Sequence, residues 1–210
     1  MVSKLAKALG LRQRSGAAAE QVLPTLILKC KCAGDTYYHD MDQSIFDNAM
    51  KGEEGEAFYR FYVRQRKIGI QAFKSEVVED LAKLSGAALY AIIEQHNYDS
   101  GTWFLTQIVA HPQCEFATAL VIYWANQPAY VYERYGTIDL ACQDTDSFLH
   151  ARAELLDQIE RKTKQDAFAH NLPIPHVGCF LDGQPDYSTK PFANMPSKLR
   201  VDLRGLVVIE

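Results

Sequence analysis

Several things are missing from this chain of 210 residues, and each absence narrows what it does. No apolar run reaches the roughly 18 residues that a membrane-spanning helix needs. The N-terminus carries Lys4, Lys7, Arg12 and Arg14 but lacks the continuous apolar stretch of a secretory signal. Positive charge is not in excess. The formal net charge is -4, so the chain has no bulk attraction for nucleic acid or an anionic membrane. Cysteine is sparse and odd in number, with five residues at 30, 32, 114, 142 and 179. That irregular set makes a poor disulfide framework and fits a reducing compartment, so the expected site of action is the cytoplasm. A phosphate-binding glycine loop, a serine-hydrolase elbow and a zinc-protease motif are all missing, as are internal repeats.

What is present is a globular composition, 48% hydrophobic and 23% charged, long enough to bury a core without disulfides or metals. Eleven tyrosines and ten phenylalanines supply large side chains for that core or for an interface. The pattern predicts a mainly α, helical bundle-like domain. A few short β-strands are expected near residues 25–32 and in the C-terminal third. Residues 1–20 read as a flexible or helical arm, and 21–210 as a single domain around a central helical unit, 85–127.

Leu26, Leu28, Cys30 and Cys32 alternate with Ile27, Lys29 and Lys31, a period of two that suits a half-buried strand. Ile27 is apolar too, which leaves a helical turn open. Phe58, Phe61 and Tyr62 mark a helix face, and Phe73, Val77, Leu81 and Leu84 continue at near-helical spacing. A fresh helix start is expected at Ser75–Glu76. The clearest stripe is Leu89, Ile92, Ile93 and His96, broken by the turn formers Asn97, Asp99, Ser100 and Gly101. A short helix carries Trp103, Phe104 and Ile108 and ends at His111–Pro112, because proline disfavours helical geometry in the residue before it. The next helix carries Phe116, Leu120, Tyr123 and Trp124, widened by Ala117 and Val121, and is expected to be buried on most sides. Asp146 or Ser147 is placed to cap a later helix. Its apolar face holds Phe148, Leu149, Leu155, Leu156 and Ile159, and its solvated face Arg152, Asp157, Glu160, Arg161 and Lys164. Prolines beyond Asn171 suggest loops, with strand-like segments at Val177–Leu181 and Leu206–Ile209.

Candidate chemistry is thin. Cys30, Cys32 and His39 lack the second ligand pair that zinc needs, so no metal and no cofactor are expected. His39–Asp40 are adjacent residues that point apart on any regular element, a poor general-base pair. Cys114 near His111 reads as a small residue at a packed helix start. Cys114 or His39 would carry the alternative reading, a hydrolase with a dispersed site. Arg64, Arg66 and Lys67 form a basic cluster that fits a solvated face.

The suggestive stretch is acidic. Asp35, Asp40, Asp42, Asp47, Glu53, Glu54 and Glu56 fall within 22 residues in which Lys51 is the sole Lys or Arg, with Tyr37, Tyr38 and Phe46 among them. Aromatic anchors surrounded by acids suit an interface with a basic partner. The same composition also describes a solvated loop.

The segments AIIEQHNYDSGTWF and IVAHPQCEFATALVIYWA, from Ala91 to Ala125, resemble the bacterial domain-of-unknown-function family 4274. The shared pattern is an apolar helix with an aromatic turn, a short helix, a Pro-x-Cys junction and an Ala-Leu-rich helix. Tyr98 and Ser100 depart from the family's turn, and Gln127–Pro128–Ala129–Tyr130 replaces its Asp-Gly-Tyr. The resemblance implies a helical scaffold and supplies no catalytic residue. It is also associated with antitoxin partners in interbacterial toxin systems, such as type VI secretion. The expected function is therefore an immunity protein that binds a cognate toxin and is not an enzyme. A helical scaffold or self-association module is the plainer alternative.

Overall fold

The computed structural model describes residues 17–34, 53–96, 98, 101–174, 177, 187–188 and 192–201. Their helices are α1 (Ala17–Gly34), α2 (Glu53–Ile68), α3 (Ile70–Leu81), α4 (Gly86–Ile93), α5 (Trp103–Ala110), α6 (Phe116–Ala125), α7 (Pro128–Tyr135), α8 (Ile138–Gln143) and α9 (His150–Lys164). Two 3₁₀ turns follow, Phe192–Asn194 and Ser197–Leu199. The mainly helical class expected from the sequence is what is observed.

At the centre lies α6, whose residues Phe116 to Trp124 are all buried. A helix apolar on every side has no solvent face and must be surrounded. α4, α5 and α9 pack against it. α9 contributes Leu155, Leu156 and Ile159. Pro128 occupies the first turn of α7, where its missing N–H costs nothing. Gly136 ends that helix at φ 76, a left-handed conformation that glycine adopts without strain. Thr137 then caps α8 by accepting the Leu140 N–H at 3.2 Å. Ser85 caps α4 by accepting from the Ala88 N–H.

The first three helices form a second layer, packed on one another and joined to α4 and α5 through α1. An ion network holds this layer. Lys29 Nζ lies 2.5 Å from Asp80 and 3.8 Å from Glu76, and Arg64 grips Glu76 with two nitrogens at 2.5 and 2.9 Å. On the opposite flank the 3₁₀ turns close over α7 and α9, and the Trp124 indole N–H donates to the Leu199 carbonyl at 3.0 Å.

The strand expected near residues 25–32 is a helix. Leu26, Ile27, Cys30 and Ala33 are buried, which is one stripe at i, i+1, i+4 and i+7. Burial of Ile27 beside Leu26 breaks the alternation, and Pro24 is accommodated inside the helix. Residues 17–20 of the expected arm also belong to α1. The helix start expected at Ser75 lies inside α3, where the Ser75 hydroxyl donates to the Gln71 carbonyl at 3.1 Å. Of the C-terminal strand segments, Val177 is buried. The remainder, with Leu206–Ile209, lies outside the described residues. Within the described residues an isolated parallel bridge joins Glu115 to Ala169.

Candidate interaction surfaces

The thiols nominated by sequence face inward. Cys30 and Cys32 are buried on α1, and burial pushes both well above the ordinary thiol range. Cys32 Sγ donates to the Phe58 carbonyl at 3.7 Å, so it helps join α1 to α2. His39 lies outside the described residues. Among those described, no group of three His, Cys, Asp or Glu residues is placed to hold a metal ion.

Cys114 is also buried, and burial pushes its thiol up to about 12. Its neighbour His111 is engaged elsewhere, since Nδ1 accepts the Gln113 N–H at 3.0 Å. Burial lowers the His111 pKa against the opposing pull of the Ala82 and Leu81 backbone groups. His96 packs between the rings of Tyr98 and Phe104, with centroids 5.2 and 5.3 Å away, and burial lowers its pKa to about 4. It is a neutral packing group at neutral pH.

The basic cluster on α2 resolves into separate structural roles. Arg64 pairs with Glu76, and Arg66 donates to the Tyr62 hydroxyl at 2.6 Å. Gln65 between them is buried, and its amide donates to the Cys32 carbonyl at 2.6 Å.

Two buried carboxylates were not singled out by sequence reasoning. Glu160, assigned there to a solvated face, is 5% exposed. Its Oε1 accepts from the hydroxyls of Tyr123 at 2.8 Å and Tyr132 at 2.7 Å. Burial raises its pKa, outweighing the two tyrosine hydrogen bonds and the charge of Lys164. The helical period still displayed Glu160 one position after Ile159, at the edge of the apolar stripe, which was the available signal. Glu115 is likewise 5% exposed. It accepts from the Asn171 backbone N–H at 2.8 Å and side-chain amide at 3.0 Å, and so ties the exit of α9 to the start of α6. Gly86 is buried against it. A Cβ there would stand 2.7 Å from the Gln113 carbonyl and 2.8 Å from Glu115 Cγ.

An open groove of about 820 Å³ runs between α5 and α9, lined among others by Trp103, Thr106, Gln158, Arg161 and Lys162. Its two cations are internally committed. Arg161 pairs with Asp157 at 2.6 Å, and Lys162 donates to the Val109 carbonyl at 2.6 Å while standing 4.7 Å from the Phe168 ring centre.

Of the acidic stretch, Asp35, Tyr37, Tyr38, Asp40, Asp42, Phe46 and Asp47 lie outside the described residues. Glu53, Glu54 and Glu56 fall in the first turn of α2, and Glu56 is exposed. Glu56 there complements the positive end of the helix dipole.

Fold and geometry together define a mainly helical protein organised around a buried central helix. Within it, residues 85–163 match the family described as Domain of unknown function (DUF4274). The match contains the resemblance seen over Ala91–Ala125 and extends it from the Ser85 cap through α9. Neither a curated protein nor a solved structure matches the chain. No helix among the described residues is long and apolar enough to cross a membrane.

Proposed function

We propose that the protein is an immunity-type binding protein that acts in the cytoplasm, docks onto a bacterial toxin and occludes its active site. The observation that carries this reading is the charge pattern of residues 35–56, with seven acids against Lys51 and three aromatic residues interspersed. Nucleases present basic faces to the phosphate backbone, which makes them the toxin class this acidity fits best. The inward placement of Cys30, Cys32 and Cys114 supports binding over hydrolysis, since a nucleophilic thiol needs exposure and a lowered pKa. The match to a domain of unknown function is neutral on this point.

The test begins with the neighbouring reading frames, among which a toxin is expected. Its purified product should bind the chain. Reversing Asp40, Asp42, Glu53 and Glu54 to lysine should slow association by about tenfold or more, with a smaller effect on dissociation. A neighbourhood without a toxin, or reversal that leaves binding and protection of cells unchanged, refutes the assignment.

A further inference from the structure

The most exposed large apolar side chain among the described residues is Phe148, at 78%. It sits on the turn between α8 and α9, and that turn is held on both sides. Its neighbour Leu149 is 1% exposed and anchors the turn in the core. The Tyr135 hydroxyl lies 2.7 Å from Asp144 Oδ2 and 3.0 Å from Ser147 Oγ. With one proton to give, Tyr135 donates to the carboxylate and accepts from Ser147. Ser147 Oγ in turn accepts the Leu149 N–H at 3.1 Å. Two backbone bonds complete the turn, from Ser147 N to the Asp144 carbonyl at 3.1 Å and from His150 N to the Ser147 carbonyl at 3.0 Å. Phe148 is thus presented to water from an ordered base, and docking it would order little further chain.

The surroundings specify what could cover it. Leu140, on α8, is 50% exposed. From Tyr135 to Ala151 the chain carries Asp139, Asp144 and Asp146 and no Lys or Arg. Asp139 and Asp146 are exposed. The nearest arginines in sequence flank this stretch from outside it, Arg134 over the Tyr135 ring at 5.5 Å and Arg152 toward Gln127 at 3.4 Å. A second copy of the chain would bring these aspartates against their own kind, and an anionic membrane or nucleic acid would be repelled as well. A basic protein surface with an apolar recess meets both the charge and the exposed ring.

We infer that Phe148, with the exposed Leu140 and Asp139 of the preceding helix and Asp146 of the same turn, forms a docking surface for a basic protein. This rests on the immunity-type reading and adds to it a preorganised anchor on the family-matched part of the chain. The experiment uses the full chain and a displayed library of random linear peptides. Selected sequences should combine Lys or Arg with large apolar residues. Their affinity should fall about tenfold or more for Phe148→Ser, recover in Phe148→Leu, and weaken with loss of salt dependence in Asp139→Asn, Asp146→Asn. Thermal unfolding of Phe148→Ser should match wild type, because the ring is already in water. Peptides that bind Phe148→Ser equally, a selection without basic-apolar sequences, or wild-type self-association that Phe148→Ser abolishes would each overturn the inference. The neighbouring toxin separates the two claims. A wild type that protects cells, with Phe148→Ser binding the toxin unchanged, removes this surface and leaves the function standing. A wild type that gives no protection removes the function, while the peptide selection still decides the surface.

Discussion

Replacing Glu160 separates the cost of its charge from the value of its hydrogen bonds. In Glu160→Ala the hydroxyls of Tyr123 and Tyr132, both at most 1% exposed, lose their shared acceptor. Each buried unsatisfied hydroxyl costs about 1–3 kcal/mol, so a loss of about 3–5 kcal/mol is expected. Glu160→Gln should behave differently. Both hydroxyls address Oε1, and an amide oxygen accepts from both while removing a charge that burial disfavours. Glu160→Gln is therefore expected to equal wild type at pH 7 or exceed it by up to about 1 kcal/mol. The folded-state pKa of Glu160 is raised, so the native protein holds this proton more tightly than the unfolded chain. The resulting penalty on wild type is fully present above the folded pKa and fades as pH falls toward the ordinary glutamate range. Urea unfolding of the three proteins at pH 7 and near pH 5 reads this directly. The advantage of Glu160→Gln over wild type should shrink at the lower pH. Should Glu160→Gln lose as much stability as Glu160→Ala, or the gap stay constant with pH, the network is held by ionic attraction and this reasoning is wrong.

Gly86→Ala should destabilise by about 1–2 kcal/mol in thermal or urea unfolding. The gain of about 1 kcal/mol in helix propensity is outweighed by a Cβ forced against the Gln113 carbonyl and Glu115; a more stable variant would show that the junction is loosely packed. Of the four described thiols, half-buried Cys142, pushed up to about 11, should be alkylated first and slowly. Cys30, Cys32 and Cys114 should react only on unfolding, which mass spectrometry after native labelling will check. Charge reversal across residues 35–56 should slow toxin association, read by stopped-flow or surface-based kinetics. Phe148→Ser should weaken docking while leaving unfolding unchanged.

The helices that pack around α6 were legible because their side chains repeat at the helical period and their ends carry strong punctuation. Leu89, Ile92 and Ile93 are buried as their spacing requires, and α5 stops at Ala110 before His111–Pro112. Cys114 at a packed helix start also follows from its small, apolar character. Misreadings arose where local pattern and tertiary context disagree. Leu26, Leu28, Cys30 and Cys32 alternate, yet a helix buries 26, 27, 30 and 33 with the same composition. Glu160 reads as solvated because its type is charged, and the hydroxyls that donate to it, from Tyr123 and Tyr132, are 37 and 28 residues away. Phe148 reads as part of an apolar face by the same one-dimensional logic, whereas the helix begins two residues later and the turn before it directs Leu149 inward. The acidic stretch was visible as charge, but charge alone carries no partner's shape.

The Trp124–Leu199 hydrogen bond bears on where this protein can be cut. The family match ends at residue 163, yet an indole inside it is completed by a carbonyl 75 residues downstream, and α1 covers α4 and α5 from far upstream. The family-matched segment is thus shorter than the packed unit it belongs to. A fragment trimmed to 85–163 would carry the signature of the family without the walls that keep its central helix dry.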